Sequence, residues 1–227
     1  MIEVILWDVD GTLLDFNAAE RAALHSLSAD FGFTGCTDAA IRRYAEINHA
    51  LWKKLERGEC TREQVLVGRF ETFFSEMGWN TARAAEFNRA YQLRLGDTIV
   101  YRDDSLAIVK SLRSRVRQYV VSNGTIAAQT KKLERSGFGA LMDGVFLSER
   151  LGVEKPDPAF FEQVFSAIGP VDRRRVLLVG DSLTSDMQGG CNAGVLTAWY
   201  NPDRLPVPDA PHVDYDLSDL HDLFPIL

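Results

Sequence analysis

The sequence has little cysteine, since only Cys36, Cys60 and Cys191 occur among 227 residues. They lie far apart and form no Cys-x-x-Cys pair, which excludes a disulfide framework and fits a reducing compartment. No apolar run reaches the roughly 20 residues that a membrane-spanning helix requires. The N-terminal stretch lacks the basic segment and the long apolar region of a signal peptide. These absences predict a cytoplasmic protein.

Basic residues are also in short supply. Lys and Arg total 25 against 32 Asp and Glu, which gives a net charge of −7. No Lys/Arg-rich run is long enough to indicate a nucleic-acid footprint, so no nucleic-acid polymer is expected as a partner. The sequence contains neither a Gly-x-Ser-x-Gly motif nor the Gly-Lys-Ser/Thr of a P-loop. An acidic protein that binds an anion needs local positive charge, and a metal ion is the usual source.

Five short apolar runs have the composition of buried strands. They are Val4–Trp7, Tyr119–Val121, Val145–Leu147, Val176–Val179 and Leu196–Trp199. Their apolar character is continuous rather than alternating, which is typical of parallel strands covered by helices on both faces. Helix-like segments separate the later runs. The pattern predicts an α/β fold with a Rossmann-like, doubly wound parallel sheet.

The segment 16–95 shows no strand pattern. Apolar residues recur at helical spacing within it, and Thr61 with Gln64 resembles a capping box. We therefore expect an inserted all-helical domain over 16–95, with the α/β core formed by 1–15 and 96–227. The segment 201–212 holds four prolines, which predicts an extended surface loop before a short final helix.

Polar clusters follow the predicted strands at their carboxyl ends, where parallel α/β sheets bind ligands. The clusters comprise Asp8 with Asp10, Ser122-Asn123-Gly124, Lys155, and Asp181 with Asp186. Several carboxylates at one edge would repel one another unless a cation lies among them. Because only oxygen ligands are offered, a hard ion such as Mg²⁺ is expected.

The same edge offers groups that bind an anion. Lys155 supplies a positive charge, and Ser122-Asn123-Gly124 supplies backbone N–H groups before a helix N-terminus. A hard metal beside an anion cradle indicates phosphate as the bound group. A nearby carboxylate can act as a nucleophile and form an aspartyl-phosphate, and a second acid can move the proton.

Four motifs, DVDGT, SNG, EKP and GDSLTSD, occur in this order along the α/β part of the chain. Together they resemble the motifs of the haloacid-dehalogenase-like hydrolase superfamily. The resemblance implies that Asp8 is the nucleophile and Asp10 the general acid/base. It also implies that Ser122 and Lys155 hold the transferring phosphoryl group.

The resemblance further implies a Mg²⁺ site. Its ligands would be Asp8, the backbone carbonyl of Asp10, and Asp181, with Asp186 a direct ligand or a supporting partner. Asp186 has a second interpretation, in which it only caps or braces the helix near Asp181. The helical insert resembles the first type of cap in this family, which closes over the site and excludes water.

Asp10 separates chemistries within that family. The dehalogenase branch lacks an acid at this position, whereas phosphatases carry one, so the resemblance favours a phosphatase. Phosphomutases share the Asp8–Asp10 pair and remain an alternative.

The segment 47–74 resembles the cap of the pyrimidine-nucleotidase branch, which removes the 5′-phosphate from nucleoside monophosphates. The candidates for contact with the nucleoside are Asn48, Trp52, Arg69 and Phe70, because aromatic rings stack on bases and polar side chains read base edges. Trp52 and Phe70 also lie on apolar stripes, which favours packing inside the cap. Arg69 has an alternative as a surface ion pair.

The sequence thus predicts a Mg²⁺-dependent phosphomonoester hydrolase, with a pyrimidine nucleoside 5′-monophosphate as the expected small-molecule substrate. Alternatives are a phosphatase of phosphoglycolate or a sugar phosphate, a sugar phosphomutase, and a catalytically silent binding protein. The oligomeric state cannot be predicted from these patterns.

Overall fold

The computed structural model describes all 227 residues, and the chain forms two compact units. The first, here called the core unit, comprises Met1–Phe16 and Ile99–Leu227. The second, here called the helical unit, comprises Asn17–Thr98. The core unit is therefore built from two separate stretches of the chain, with the helical unit inserted just after the first strand.

The core unit contains one six-stranded sheet in which every neighbouring pair is parallel. Its strands are β1 (Val4–Trp7), β2 (Arg117–Ser122), β3 (Gly144–Leu147), β4 (Val176–Gly180), β5 (Leu196–Tyr200) and β6 (Tyr215–Leu217). The spatial order is β3-β2-β1-β4-β5-β6. Strand β1 therefore lies between β2 and β4, at the point where the order of connections reverses, and this is where doubly wound sheets bind ligands.

Both faces of the sheet are buried, which explains the continuous apolar runs. Successive side chains of a strand point to opposite faces. Ile5 and Trp7 of β1 lie in one hydrophobic cluster, whereas Val4 and Leu6 lie in the other. Trp7 needs a polar partner in this interior, and its indole N–H donates to Oε1 of Gln118 over 3.0 Å.

The helical unit consists of five helices, of which the first begins one residue before the unit boundary. They are α1 (Phe16–Asp30), α2 (Asp38–Glu56), α3 (Arg62–Leu66), α4 (Gly68–Met77) and α5 (Ala84–Arg94). The expected capping box is present at the start of α3, where Thr61 and Gln64 exchange side-chain and backbone hydrogen bonds. The interior is rich in aromatic rings, and Phe70 packs within 6.0 Å of four of them.

Five further helices cover the sheet of the core unit. They are α6 (Ser105–Leu112), α7 (Ile126–Ser136), α8 (Ser148–Leu151), α9 (Pro158–Ile168) and α10 (Gln188–Ala193). A single π-helical turn, Leu183–Met187, precedes α10 and carries Asp186. Such wide turns are frequent at functional sites because they re-aim side chains. No helix of the protein has the length and apolar character needed to cross a membrane.

The predicted fold class, a parallel α/β sheet with an all-helical insert, is confirmed. The sequence patterns missed β6, however. The prolines of 201–212 do form an extended connection, but Tyr215–Leu217 then pairs with β5 rather than leading directly into a helix. The final helical segment, Leu220–Leu223, is a 3₁₀ turn.

Candidate active site

The carboxyl ends of three neighbouring strands bring the predicted site residues together. Asp8 directly follows β1, Ser122 is the last residue of β2, and Asp181 directly follows β4. Trp7 is in register with Val120 on one side and Val179 on the other, so the three strands end almost level. Residues that are more than 100 positions apart in sequence thereby meet at one edge of the sheet.

The ammonium group of Lys155 is the centre of this cluster, and the residue is fully buried. Its Nζ donates to Oδ1 of Asp8 over 2.9 Å, to Oδ1 of Asp186 over 2.6 Å, and to the carbonyl oxygen of Val121 over 2.9 Å. All three ammonium protons therefore have a partner. Burial of the ammonium favours a low pKa, but the adjacent charges of Asp186 and Asp8 outweigh it and raise the pKa of Lys155.

Three carboxylates surround this single ammonium. One oxygen from each of Asp8, Asp181 and Asp186 lies within 4.8 Å of the others. The hydroxyl of Thr12 bridges two of them, since it lies 3.2 Å from Oδ1 of Asp181 and 3.4 Å from Oδ2 of Asp8. One positive charge cannot neutralise three negative charges at this spacing.

The excess negative charge makes the carboxyl groups weaker acids. Burial, together with the charges of Asp186 and Asp181, raises the pKa of Asp8 well above its usual value, although Lys155 opposes the effect. Burial and the Asp186 charge likewise raise the pKa of Asp181 to about 7. Asp181 is the exposed member of the cluster, whereas Asp8 and Asp186 are buried.

A divalent cation fits this donor set. The cluster offers only oxygen ligands, and its excess charge of two matches a hard ion of charge +2. Asp8, Asp181 and Asp186 are the side chains that would hold such an ion.

Ser122 and Asn123 lie beside Lys155, at the turn that leads into α7. The Asn123 side chain forms two hydrogen bonds with the backbone of Lys155, a donated bond of 2.8 Å and an accepted bond of 2.9 Å. Asn123 therefore fixes the position of Lys155. The N–H of Gly124 donates to Oγ of Ser122 over 3.0 Å, and Thr125 caps α7. The N-terminus of α7 adds favourable partial positive charge for an anion.

The side chain of Asp10 contacts a different set of residues from that of Asp8. Nε2 of Gln129 donates to its Oδ2 over 2.6 Å, and the ammonium of Lys132 pairs with its Oδ1. Both partners belong to α7. The side chain of Asp10 is thus separate from the three-carboxylate cluster, so a contribution to a metal site would come from its backbone carbonyl.

Two glycines leave room for the carboxylates. A Cβ atom at Gly11 would lie 2.5 Å from Oδ2 of Asp181, and a Cβ atom at Gly180 would lie 2.3 Å from Cγ of Asp186. Gly11 also has a φ of 96°, which side chains rarely tolerate. These positions therefore require glycine so that Asp181 and Asp186 keep their places.

The structure of the helical unit does not support Phe70 as a contact for the nucleoside. Phe70 has no exposed surface, and its ring packs against Tyr44, Phe74, Phe87 and Tyr91. A base could stack on Phe70 only if this interior were opened. The apolar stripe of α4 therefore reflects packing within the unit, and Phe70 is removed from the candidate nucleoside contacts.

Asn48 and Arg69 belong to a buried polar network of the same unit. Nη1 of Arg69 donates to Oδ1 of Asn48 over 2.9 Å, and Nη2 donates to Oδ1 of Asn88 over 3.0 Å. Asn48 in turn donates to Oε2 of Glu20 over 2.9 Å. Arg69 is 2% exposed, so the alternative of a surface ion pair was wrong. Trp52 is only half-buried, and it stays a predicted nucleoside contact together with Asn48 and Arg69.

Thr12, Gln129 and Lys132 were not identified from the sequence. Thr12 lies within the first motif, so its hydroxyl could have been considered as a donor to the carboxylates. Gln129 and Lys132 are spaced three residues apart in the helix after the second motif, which places them on one helix face. This spacing is the sequence feature that could have identified the two residues.

The geometry of the core unit agrees with the comparisons to known proteins. The profile of the haloacid dehalogenase-like hydrolase family matches residues 2–194. The chain therefore belongs to this family of hydrolases.

Full-length relatives refine this placement. The chain is similar to the pyrimidine 5′-nucleotidase PynA of Streptococcus pneumoniae, with 35% identity over 98% of this chain and 94% of the relative. It is also similar to the pyrimidine 5′-nucleotidase YjjG of Escherichia coli, with 29% identity over 98% of this chain and 96% of the relative. The structure is also similar to the crystal structure of the HAD-hydrolase YfnB of Bacillus subtilis, which was solved with bound magnesium. The match covers 100% of this chain and 98% of the YfnB chain, with 34% identity and a TM-score of 0.92.

Proposed function

We propose that the protein is a Mg²⁺-dependent phosphatase that hydrolyses nucleoside 5′-monophosphates and prefers pyrimidine nucleotides. The observation that carries the chemistry is the contact of Asp8 with Lys155 beside Asp181 and Asp186. The preference for pyrimidines rests on the similarity to PynA and YjjG over almost the whole chain.

The first step transfers the phosphoryl group to the protein. An oxygen of Asp8 attacks the phosphorus, and the bond between phosphorus and the ester oxygen breaks. The ester oxygen takes the electron pair and accepts a proton from the carboxyl of Asp10, so the nucleoside leaves as a neutral alcohol. Lys155, which already contacts Asp8, neutralises charge on the phosphoryl oxygens together with the N–H groups at the start of α7.

The second step returns Asp8 to its free form. A water molecule attacks the phosphorus and gives its proton to Asp10, and the bond between phosphorus and Asp8 breaks. Asp8 leaves as a carboxylate, and inorganic phosphate is released. The same carboxyl of Asp10 thus acts first as an acid and then as a base.

Mg²⁺ held by Asp8, Asp181 and Asp186 would supply positive charge to the phosphoryl oxygens and allow the carboxylates to stay ionised. Without it, burial and like charges disfavour the ionised form of Asp8, which is the form that attacks phosphorus.

In this proposal, residues of the helical unit determine which phosphate monoester is the substrate. As a cap, it would present Trp52, Asn48 or Arg69 to the nucleoside, and the last two are held in place by their buried network. A phosphatase of phosphoglycolate or a sugar phosphate would keep the chemistry of the core unit and differ only in these contacts.

A substrate panel tests the proposal. Phosphate release is measured for UMP, dUMP, dTMP, AMP, GMP, phosphoglycolate and sugar phosphates, each with Mg²⁺ and with a chelator. Leading kcat/KM values for the pyrimidine nucleotides would support the full proposal. A leading sugar phosphate or phosphoglycolate would contradict the assigned substrate, and an absence of Mg²⁺-dependent release from every compound would contradict the assigned reaction.

A further inference from the structure

Asp10 is held by two donors that no sequence motif indicates. Nε2 of Gln129 donates to Oδ2 over 2.6 Å, while the ammonium of Lys132 contacts Oδ1. Because each donor takes a different oxygen, the pair fixes both the position and the plane of the carboxyl group. Each oxygen keeps a second lone pair, so a proton can still be carried or accepted.

Lys132 is buried to an unusual degree for a lysine. Its side chain is 2% exposed, whereas that of Asp10 is 24% exposed. Lysine is almost never buried unless it is paired, and here the pair is Asp10. The ring of Phe16 lies 5.0 Å from Nζ and adds a cation–π contact. The ammonium is therefore confined between Phe16 and Asp10.

The amide group of Gln129 points its nitrogen toward Asp10 and leaves its oxygen without a hydrogen bond. The residue is fully buried, and its Oε1 has no hydrogen-bond partner in the protein. Rotation of the amide by 180° would place Oε1 against the Asp10 carboxylate, which is electrostatically unfavourable. An unpaired buried carbonyl is costly, so the contact with Asp10 determines the orientation of this side chain.

The second motif leaves space for this arrangement. A Cβ atom at Gly124 would lie 2.3 Å from Nε2 of Gln129. Any side chain at position 124 would therefore push the Gln129 amide away from Asp10. The glycine of the Ser-Asn-Gly motif thus has a function in the acid/base arrangement as well as in the turn.

We propose that Lys132 and Gln129 are positioning residues that hold the Asp10 carboxyl in the orientation needed for proton transfer to the leaving oxygen. The inference rests on the proposed phosphatase function. It assigns no direct substrate contact to either residue, since both act through Asp10.

The test compares two substrates that differ in their need for an acid. The nucleoside leaving group of UMP is a poor one and requires a proton, whereas p-nitrophenolate leaves from p-nitrophenyl phosphate with little assistance. Misplacement of Asp10 should therefore lower kcat/KM for UMP much more than for p-nitrophenyl phosphate. A purely structural defect would lower both to the same extent, since both substrates use the same nucleophile.

The variants are Lys132→Met and Gln129→Met, with Lys110→Met of α6 as the control because that lysine is exposed. Lys132→Met should lower kcat/KM for UMP by about 10²-fold, the lower end of acid catalysis, and that for p-nitrophenyl phosphate by less than about fivefold. Gln129→Met should show the same selectivity with a smaller loss. Lys132→Arg, which keeps a cationic donor, should recover part of the UMP activity.

Equal losses on both substrates, or no loss on either, would overturn the proposal. A rise in UMP activity relative to p-nitrophenyl phosphate would also overturn it, because the ammonium would then act on the charge of Asp10 rather than on its orientation. Failure of the wild-type protein to release phosphate from either compound would instead contradict the proposed function itself, and the two failures are thus distinguishable.

Discussion

Gly180→Ala should disable the site while leaving the sheet intact. Gly180 ends β4 in a backbone conformation that alanine can adopt, but a Cβ atom there would lie 2.3 Å from both Cγ and Oδ2 of Asp186. Cβ of Asp186 would also lie only 2.5 Å away, and an ordinary contact begins at 3.4 Å, so the whole Asp186 side chain must move by about 1.1 Å. That movement breaks the 2.6 Å contact of Asp186 with Lys155 and the 3.1 Å bond from the N–H of Ser182.

A displacement of about 1 Å in a catalytic arrangement can cost on the order of 10²-fold in rate. We therefore expect kcat/KM for UMP at saturating Mg²⁺ to fall by about that factor. The Mg²⁺ concentration for half-maximal activity should also rise, because one of the three carboxylates is misplaced.

Gly190→Ala is the matched control for this prediction. A Cβ atom at Gly190 would lie 2.4 Å from Cγ2 of Thr197, so its shortest contact is almost as close, but it involves one methyl group rather than a site carboxylate. This variant should be less stable in thermal unfolding, with kcat/KM per folded molecule within about threefold of wild type. Equal kcat/KM for wild type and Gly180→Ala, or an equal loss in both variants, would show that the position of Asp186 does not matter for the reaction.

Two further predictions concern the metal and the helical unit. In metal-free protein, the raised pKa values of Asp8 and Asp181 mean that ionisation is less favourable in the folded state, so stability should fall as pH rises from about 4 to about 7. Mg²⁺ should therefore raise Tm more at pH 8 than at pH 5, and an equal or larger shift at pH 5 would contradict this assignment. Phe70→Ala should lower the free energy of unfolding by about 3–5 kcal/mol in urea titrations, because it opens a fully buried aromatic cluster. A loss below about 1 kcal/mol would indicate that Phe70 is not part of a packed interior.

The sheet could be predicted from the sequence to the extent that its strands are buried on both faces. Strands Val4–Trp7 and Val176–Gly180 are almost wholly apolar, and the runs Val4–Trp7 and Val176–Val179 predicted them. Arg117 and Gln118 at the start of β2 were missed because they are polar, although Gln118 is buried as the partner of Trp7. Strand β6 has three residues and only Leu217 of them is buried, which leaves no periodicity to detect.

The candidate site could be predicted where its residues follow strands. A parallel sheet aligns the carboxyl ends of its strands, so the assignment of the strands is enough to predict that Asp8, Ser122 and Asp181 lie close together. Lys132 could not be found in this way. Its contact with Asp10 spans 122 residues, and a lysine in a helix is normally a solvated residue.

The contacts of the polar residues in the helical unit could not be predicted from helical spacing. Asn48 and Arg69 occupy helix positions that were expected to contact a nucleoside, yet their side chains bond to Glu20 and Asn88 inside the unit. Helical spacing identifies the buried face of a helix, but it does not show whether a polar residue on that face binds a ligand or another helix.

Rapid-quench trapping would show whether Asp8 accepts the phosphoryl group during turnover. Wild-type protein and Asp8→Asn are mixed with Mg²⁺ and UMP labelled at phosphorus, quenched in acid within milliseconds, and the protein-bound label is measured. If Asp8 is the nucleophile, acid-stable, base-labile label is expected on the wild-type protein and none on the variant. Mg²⁺-dependent turnover of UMP by Asp8→Asn at the wild-type rate, or equal labelling of both proteins, would contradict this role of Asp8.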